Sequence, residues 1–346
     1  MREPPAETTT IPAHVRRACQ TLTELGSRYF YGSGPFSTRI VAIHHRPYSS
    51  VHAIDLTDGA TERRFYLKTL TSDPSTRARR IAQCMNEYGQ LEVLSKRFAG
   101  FRDLGVIEPV ACWPEDLAFL SEEFPGRNLE LVLRTHVRHI WSKAHLSMAM
   151  ALCFRAGQWL RHFQSWTVPQ SEIDLDVDEL MQYCEFRLRK IQDGTSGIRS
   201  HAVLQRLAAL AETFGPADRR VVGRHNDFRP DNMLARNGRL VVVDFAGFTY
   251  GPPLYDYIKF WMRLDYMAYG PLPVTRAIRA LQTSFAAGYD QTVDLTAPMA
   301  EFLRIANLLD KIWDLTTPSA LSFSHRVLER RWHRHLIAQL HNLVER

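Results

Sequence analysis

VVGRHNDFRPDNMLARNGRLVVVDFAG, residues 221–247, is the stretch on which the reading of this chain turns. It holds His225-x-Asp227, then Asn232 five residues after that aspartate. A β-branched and apolar run, Leu240 to Val243, follows and ends on Asp244-Phe245. Valine-rich runs favour a pleated backbone, whereas Asn, Asp and Pro favour turns. The stretch therefore predicts two short strands around a polar loop, with carboxylates and an amide presented at their ends.

Around this island the apolar spacing is helical. Helices are predicted over 148–163, 175–191 and 201–213 before it, and within 254–288, 297–315 and 323–345 after it. Further upstream the pattern changes. Residues 1–12 are polar and read as disordered, and 14–25 suit a short helix. Strands are expected over 38–45, 51–56 and 63–70, with Asp58-Gly59 as a turn. A helix over 77–98 carries Ile81, Met85, Tyr88, Leu91 and Leu94 as its apolar stripe. Two more strands are expected over 106–112 and 117–124, and Pro125-Gly126 then breaks the chain. The expected organisation is an N-terminal extension (1–30), a β-rich lobe (31–124) and a mainly helical lobe (125–346).

Composition narrows the function. The 346 residues exceed one small core. Apolar residues make up 45% and charged residues 23%, as in soluble globular enzymes. A net charge of +6 is too small and too dispersed to argue for nucleic acid. The five cysteines are odd in number and never at CxxC spacing, which suits free thiols in a reducing compartment. There is no apolar signal core and no run near the ~20 apolar residues a spanning helix needs. A cytoplasmic protein that does not enter a membrane is expected; nothing in the pattern fixes an oligomeric state.

HNDFRPDN followed by VVVDFAG resembles the aminoglycoside phosphotransferase and choline kinase branch of the protein-kinase-like superfamily. The resemblance runs from about residue 38 to 265. It implies a two-lobed α+β fold and transfer of the γ-phosphate of ATP to a hydroxyl of a small molecule that is sugar-like, aminoglycoside-like or an amino alcohol. By the same resemblance Asp227 is the catalytic base, and Asn232 and Asp244 hold Mg²⁺. Lys68, in the strand-like FYLKTL, would pair with the ATP phosphates, and Glu87 on the next helix would hold that lysine. Arg46 to Ser50 would be the loop over the phosphates, with Ser49 and Ser50 as donors. In LSEEFPG the Glu122 carbonyl and the Phe124 amide would meet adenine. Asp256, in GPPLYDY, would brace the catalytic loop; His225 is either a brace or a base.

The chain departs from protein kinases in ways that matter. Asn226 stands where they carry Arg, the phosphate loop has no glycine, and Ala246 replaces the glycine of the DFG triplet. Only about ten residues separate Asp244 from the next helix, too few for a long activation loop. A small-molecule kinase fits best; a kinase-fold pseudoenzyme acting as a binding or regulatory protein is the alternative. The acceptor should be chosen by the C-terminal half. Residues 257–346 hold eleven Lys and Arg against eight Asp and Glu, not the carboxylate excess a polycationic aminoglycoside would prefer. Asn307, Asp310 and Asp314 share one helix face, which either faces a substrate or faces solvent. Trp261, Tyr266, Tyr269 and Trp313 either line a sugar-binding wall or pack the core. His333-x-His335, in RRWHRHL, is expected on a solvated basic face.

Overall fold

Alternating apolar residues between Ser37 and Leu70 build the first layer of the fold. The computed structural model describes residues 11–31, 34–139, 142–171, 173–192, 197–268, 274–290, 293–316 and 323–345. Most of the expected disordered terminus (1–10), with Gly32, Ser33 and Tyr269, lies outside the described residues. The chain divides into two units, Met1–Gly126 with Val241–Ala246, and Arg127–Leu240 with Gly247–Arg346.

The first unit opens with α1 (Ala13–Glu24) and the single turn α2 (Gly26–Tyr29). Next come β1 (Ser37–Arg46), β2 (Ser49–Thr57), β3 (Glu62–Leu70) and the long helix α3 (Arg77–Phe98). β4 (Leu104–Val106), β5 (Pro109–Trp113) and β6 (Ala118–Glu122) complete it. The main sheet is antiparallel, in the order β1-β2-β3-β6-β5. Val15, Ala18 and Leu22 of α1 recur at helical spacing and pack on Ile54, Leu56, Phe65 and Leu67 of the sheet. Each fully buried Leu or Ile there is worth roughly 1.5–3 kcal/mol.

Two expectations need correction here. The buried stripe of α3 is Cys84, Glu87, Leu91, Leu94 and Phe98, and Met85 is 56% exposed. The helix is rotated from the purely apolar reading because Glu87 is taken inside with an ion-pair partner. The strand expected over 106–112 is two strands, β4 and β5, and Pro109 begins the second.

The second unit begins with β7 (Arg127–Asn128), α4 (Leu129–Arg138), α5 (Lys143–Trp166), α6 (Val177–Gln192) and α7 (Ser200–Glu212). The key stretch then forms β8 (Val222–Arg224), β9 (Met233–Arg236) and β10 (Arg239–Val242), and β11 (Thr249–Gly251) pairs antiparallel with β8. Instead of two short runs there are three strands plus β11. β9 and β10 are joined by Asn237-Gly238, both at positive φ (50° and 80°), the backbone of the tightest hairpin turns. Helices α8 (Leu254–Met267), α9 (Thr275–Tyr289), α10 (Pro298–Thr316) and α11 (Phe323–Val344) close the unit. α5 and α9 meet backbone to backbone at Gly157 and Gly288, where any side chain would collide with the facing carbonyl. On α11, His333 is half-buried with Nε2 lacking a partner among the described residues, so the expected solvated face is only partly solvated. No helix among the described residues is long and apolar enough to cross a membrane.

Candidate active site

In the first unit Lys68 sits in a central strand, opposite Val51 of β2 and Phe119 of β6. Its ammonium donates to Glu87 at 2.8 and 3.0 Å and to Asp244 at 2.7 Å. Glu87 is 1% exposed, and the Lys68 side chain 19%. Burial alone would discharge Lys68, but the two carboxylates outweigh it and hold its pKa above the ordinary value. Asp244 follows β10 with φ at 69°, a left-handed conformation that Asp tolerates better than bulky residues. Gln83, one turn before Glu87, donates to the Ala246 carbonyl at 3.1 Å and ties this segment to α3.

In the second unit the loop between β8 and β9 is fixed from below. Phe228 is fully buried and stacks on Trp159 of α5, with Phe260 of α8 beside it. Asp256, fully buried near the start of α8, accepts the backbone N–H groups of His225 (2.6 Å) and Asn226 (3.0 Å). Burial pushes the Asp256 carboxyl up, against the pull of His225 and its backbone bonds. His225 is itself buried, and its Nδ1 accepts the Asp227 N–H at 3.3 Å, a bracing geometry. Asn226 has φ at 68°, which accounts for an Asn at this position: its short amide side chain suits left-handed backbone.

Asp227 is thus held on a short, pinned loop and stays 36% exposed. Asn232 Nδ2 donates to the Asp227 carbonyl (2.9 Å) and to its Oδ2 (2.8 Å). Arg229 donates to the same oxygen at 2.9 Å. Oδ1 is held more loosely, by Lys259 at 3.5 Å, while Lys259 also bonds the Asn226 carbonyl at 2.8 Å. Asn128 caps α4 by accepting the Leu131 N–H and donates to the Asp231 carbonyl, so a helix start steadies the loop's far end.

Asp227 lines a cavity of about 320 Å³ within the second unit. Tyr183 and Arg187 of α6, Lys259 and Arg263 of α8, and Asn307, Asp310, Lys311 and Asp314 of α10 are among its walls. The α10 face is therefore not a plain solvent face: Asn307 is 7% exposed. Asp310 accepts from the Tyr183 hydroxyl at 2.6 Å and from Arg187 at 2.7 Å. Burial raises the Asp310 carboxyl's pKa, opposed by those two partners. Tyr266 lines the wall, whereas Trp313 packs under the Arg187 guanidinium at 4.3 Å from its ring centre.

The loop expected over Arg46 to Ser50 is shorter than the resemblance implies. Ser49 and Ser50 are the first residues of β2, opposite Arg46 and His45, and the turn is Pro47-Tyr48 alone. Strand pairing runs right up to the turn, so Ser49 is buried in the ladder at the edge of the turn. Glu122 ends β6 opposite Phe65, and its N–H donates to Glu108. Phe124 lies just beyond, with its carbonyl accepting the Gly126 N–H. The residues that sequence reasoning passed over are Lys259, Arg187, Tyr183, Arg229 and Lys311. One signal was present: Asp256 and Lys259 are three apart on a helix, hence on one face.

For magnesium the chemistry of the donors fits. Asp244 offers carboxylate oxygen and remains 37% exposed. The Asn232 amide nitrogen is engaged with Asp227, which leaves its oxygen as the group to offer. Hard oxygens of this kind, one or two per protein, are what Mg²⁺ takes when phosphates and water complete its shell.

Comparison with known proteins agrees with this fold. The profile of the family described as "Phosphotransferase enzyme family" matches residues 52–295. A candidate aminoglycoside phosphotransferase from Ralstonia eutropha is 15% identical with a TM-score of 0.59, over 94% of this chain and 98% of that one. A thermostable mutant of aminoglycoside phosphotransferase APH(4)-Ia, in ternary complex with AMP-PNP and hygromycin B, is 14% identical with a TM-score of 0.59, over 95% and 97%. Glucosamine kinase, in complex with glucosamine, ADP and inorganic phosphate, is 15% identical with a TM-score of 0.51, over 94% and 98%. At such identities the likeness is one of fold. No curated protein matches the chain significantly.

Proposed function

The chain belongs to the phosphotransferase enzyme family, and we propose that within it the protein moves the γ-phosphate of ATP to a hydroxyl of a small molecule. The observation that carries this reading is the Lys68 ammonium clasped by Glu87 and Asp244, residues far apart in sequence. A lysine so held is a fixed positive charge for phosphate oxygens, and its orientation needs no reorganisation during reaction. Asn232 and Asp244 are the proposed magnesium ligands. Bound there, the metal neutralises charge on the phosphate oxygens.

Asp227 is the proposed base. Arg229 and Asn232 anchor one of its oxygens, which leaves Oδ1 to receive or orient the proton of the attacking hydroxyl. Lys259, reaching both the Asn226 carbonyl and Asp227, steadies that oxygen. Glu122 and Phe124 remain the proposed adenine contacts. Nucleotide complexes of the similar folds, with AMP-PNP and with ADP, support ATP as donor. The five free cysteines support a reducing, cytoplasmic setting.

The test is magnesium-dependent ADP release across neutral, acidic and amino polyols, beside Asp227→Asn. Acceptor-stimulated release that falls about 10²–10⁴-fold in the variant is expected. ATP·Mg²⁺ binding with no stimulated release by any acceptor would favour a pseudoenzyme. No nucleotide binding at all would end the reading.

A further inference from the structure

The cavity beside Asp227 has an unusual charge balance. Arg187, Arg229, Lys259, Arg263 and Lys311 line it, against the carboxylates of Asp227, Asp310 and Asp314 alone. Those carboxylates are already engaged. Asp227 is taken by Arg229 and Asn232, Asp310 by Arg187 and Tyr183, and Asp314 lies 3.7 Å from Lys311. An ammonium group on an entering ligand would compete with these cations for the same three carboxylates and meet five positive side chains.

Most of the cations are paired too: Arg187 with Asp310, Lys259 with Asp227, and Arg229 with both Asp227 and Asp231. Arg263 has Glu130 at 2.7 Å. Lys311 is different: its side chain is only 20% exposed, and among the described residues no carboxylate is nearer than Asp314. Its other favourable neighbours are the Trp332 ring face at 5.3 Å and, at longer range, the Asp231 carboxylate. Burial depresses the Lys311 pKa, helped by the nearby Arg263 and Arg229 and opposed by Asp314 and Asp231. Arg229 has a buried Nε with no acceptor among the described residues. Buried cationic donors without acceptors are costly, and an anion from a ligand is what would complete them. Tyr183, Tyr255 and Tyr266 add aromatic walls with hydroxyl tips, a surface suited to a small polyol. The volume of about 320 Å³ is at the small end of ligand pockets, roughly 300–1,000 Å³.

We infer that the acceptor is an anionic polyol, a small hydroxylated molecule whose carboxylate or phosphate ester is held by Lys311 in the field of Arg263 and Arg229. This rests on the reading that the cavity is the acceptor site. It separates the protein from phosphotransferases whose acceptors are polycations.

The whole protein is titrated, with AMP-PNP and magnesium present, against two matched series. One is glycerol, serinol, glycerate and glycerol 3-phosphate; the other is glucose, glucosamine, glucuronate and glucose 6-phosphate. In at least one series an acid binds about tenfold more tightly than its neutral partner, the worth of one charge-assisted contact, and the amine binds worst. The carboxylate and phosphate arms show which anion is preferred. Lys311→Gln brings the acid to the neutral partner's affinity and leaves that partner's binding unchanged, with a melting temperature no lower than that of the native protein as the check on folding. Neutral or amino members binding as tightly as the acids, no measurable binding by any member, or an acid preference that survives Lys311→Gln each overturn the inference. Acid preference lost in Lys311→Gln, but with no ADP released from ATP for any member, upholds the anion site and rejects the kinase reading instead.

Discussion

Lys68 and the cavity beside Asp227 bury charge in opposite proportions. In the first unit one ammonium is shared by two carboxylates, Glu87 and Asp244. In the second, five cationic side chains line a cavity with three carboxylates. The magnesium ion and the anionic acceptor proposed above would each add the sign that is in the minority there. The surplus acid suits a magnesium ion, and the surplus base suits an anionic acceptor. A buried charge is tolerated only when paired, so a lasting imbalance is the trace of a missing partner.

The comparison breaks most sharply at Lys68. Lys68→Met leaves Glu87, 1% exposed, beside a second carboxylate without its cation. A loss of about 3–5 kcal/mol is expected, as for other buried pairs cut on one side. The double variant Lys68→Met with Glu87→Leu should recover most of that stability and none of the ATP binding. Urea melts of the three proteins, with nucleotide titrations alongside, decide it. A single variant that costs less than about 1 kcal/mol would mean that the cluster is wet and its charge balance carries no message.

Next in size is the brace under the catalytic loop. Asp256→Ala strands the N–H groups of His225 and Asn226, both now satisfied by one buried carboxylate. About 2–4 kcal/mol is expected, the sum of two orphaned donors. Asp256→Asn keeps an acceptor for one of them and should lose roughly half as much. Equal losses for the two variants would show that burial of the side chain, not its bonds, holds the loop.

These two places were not equally legible in the sequence. Lys68, Glu87, Asp227, Asn232 and Asp244 each stand in a local motif, so the resemblance of FYLKTL, HNDFRPDN and VVVDFAG to the family pattern brought them out. The cavity's cations do not. Arg187, Lys259 and Lys311 come from α6, α8 and α10, and only tertiary packing gathers them. An arginine in a helix looks alike in sequence whether it meets water or a buried aspartate. The α3 stripe went astray for a related reason: Glu87 is polar yet inside, because its partner is supplied by another strand. Ser49 and Ser50 were placed in a loop because the resemblance puts a phosphate loop between the first two strands, whereas strand pairing continued to Pro47-Tyr48.

A pH measurement sharpens the contrast from the cavity side. Glu130 holds Arg263 against the wall, with Arg134 on its other oxygen. Burial would raise the Glu130 carboxyl's pKa, but Arg263 and Arg134 outweigh it and keep it below the ordinary value. A depressed folded-state pKa contributes stability above the unfolded value, about 4.3, and that stability is lost as pH falls through the folded value. The melting temperature of the native protein should therefore drop more steeply on acidification below about pH 5 than that of Glu130→Gln. Parallel acid limbs for the two proteins would mean that Glu130 does not pin the arginine in solution.

The smallest expected effect discriminates most finely. Asp314 is 51% exposed and 3.7 Å from Lys311, one turn away on α10. A pair so open to solvent is worth only about 0–1 kcal/mol, so Asp314→Asn should leave stability within experimental error. Its consequence for binding is different in kind. Removing one carboxylate raises the cationic surplus and frees the Lys311 ammonium, so an anionic polyol should bind about two- to threefold more tightly, while a neutral one is unaffected. If Asp314 instead accepts a hydroxyl of the acceptor, both acid and neutral members weaken together. Titrating glucose and glucuronate against this one variant separates a site that selects by charge from one that selects by hydrogen bonding, and only the first agrees with the opposite balances of the two regions.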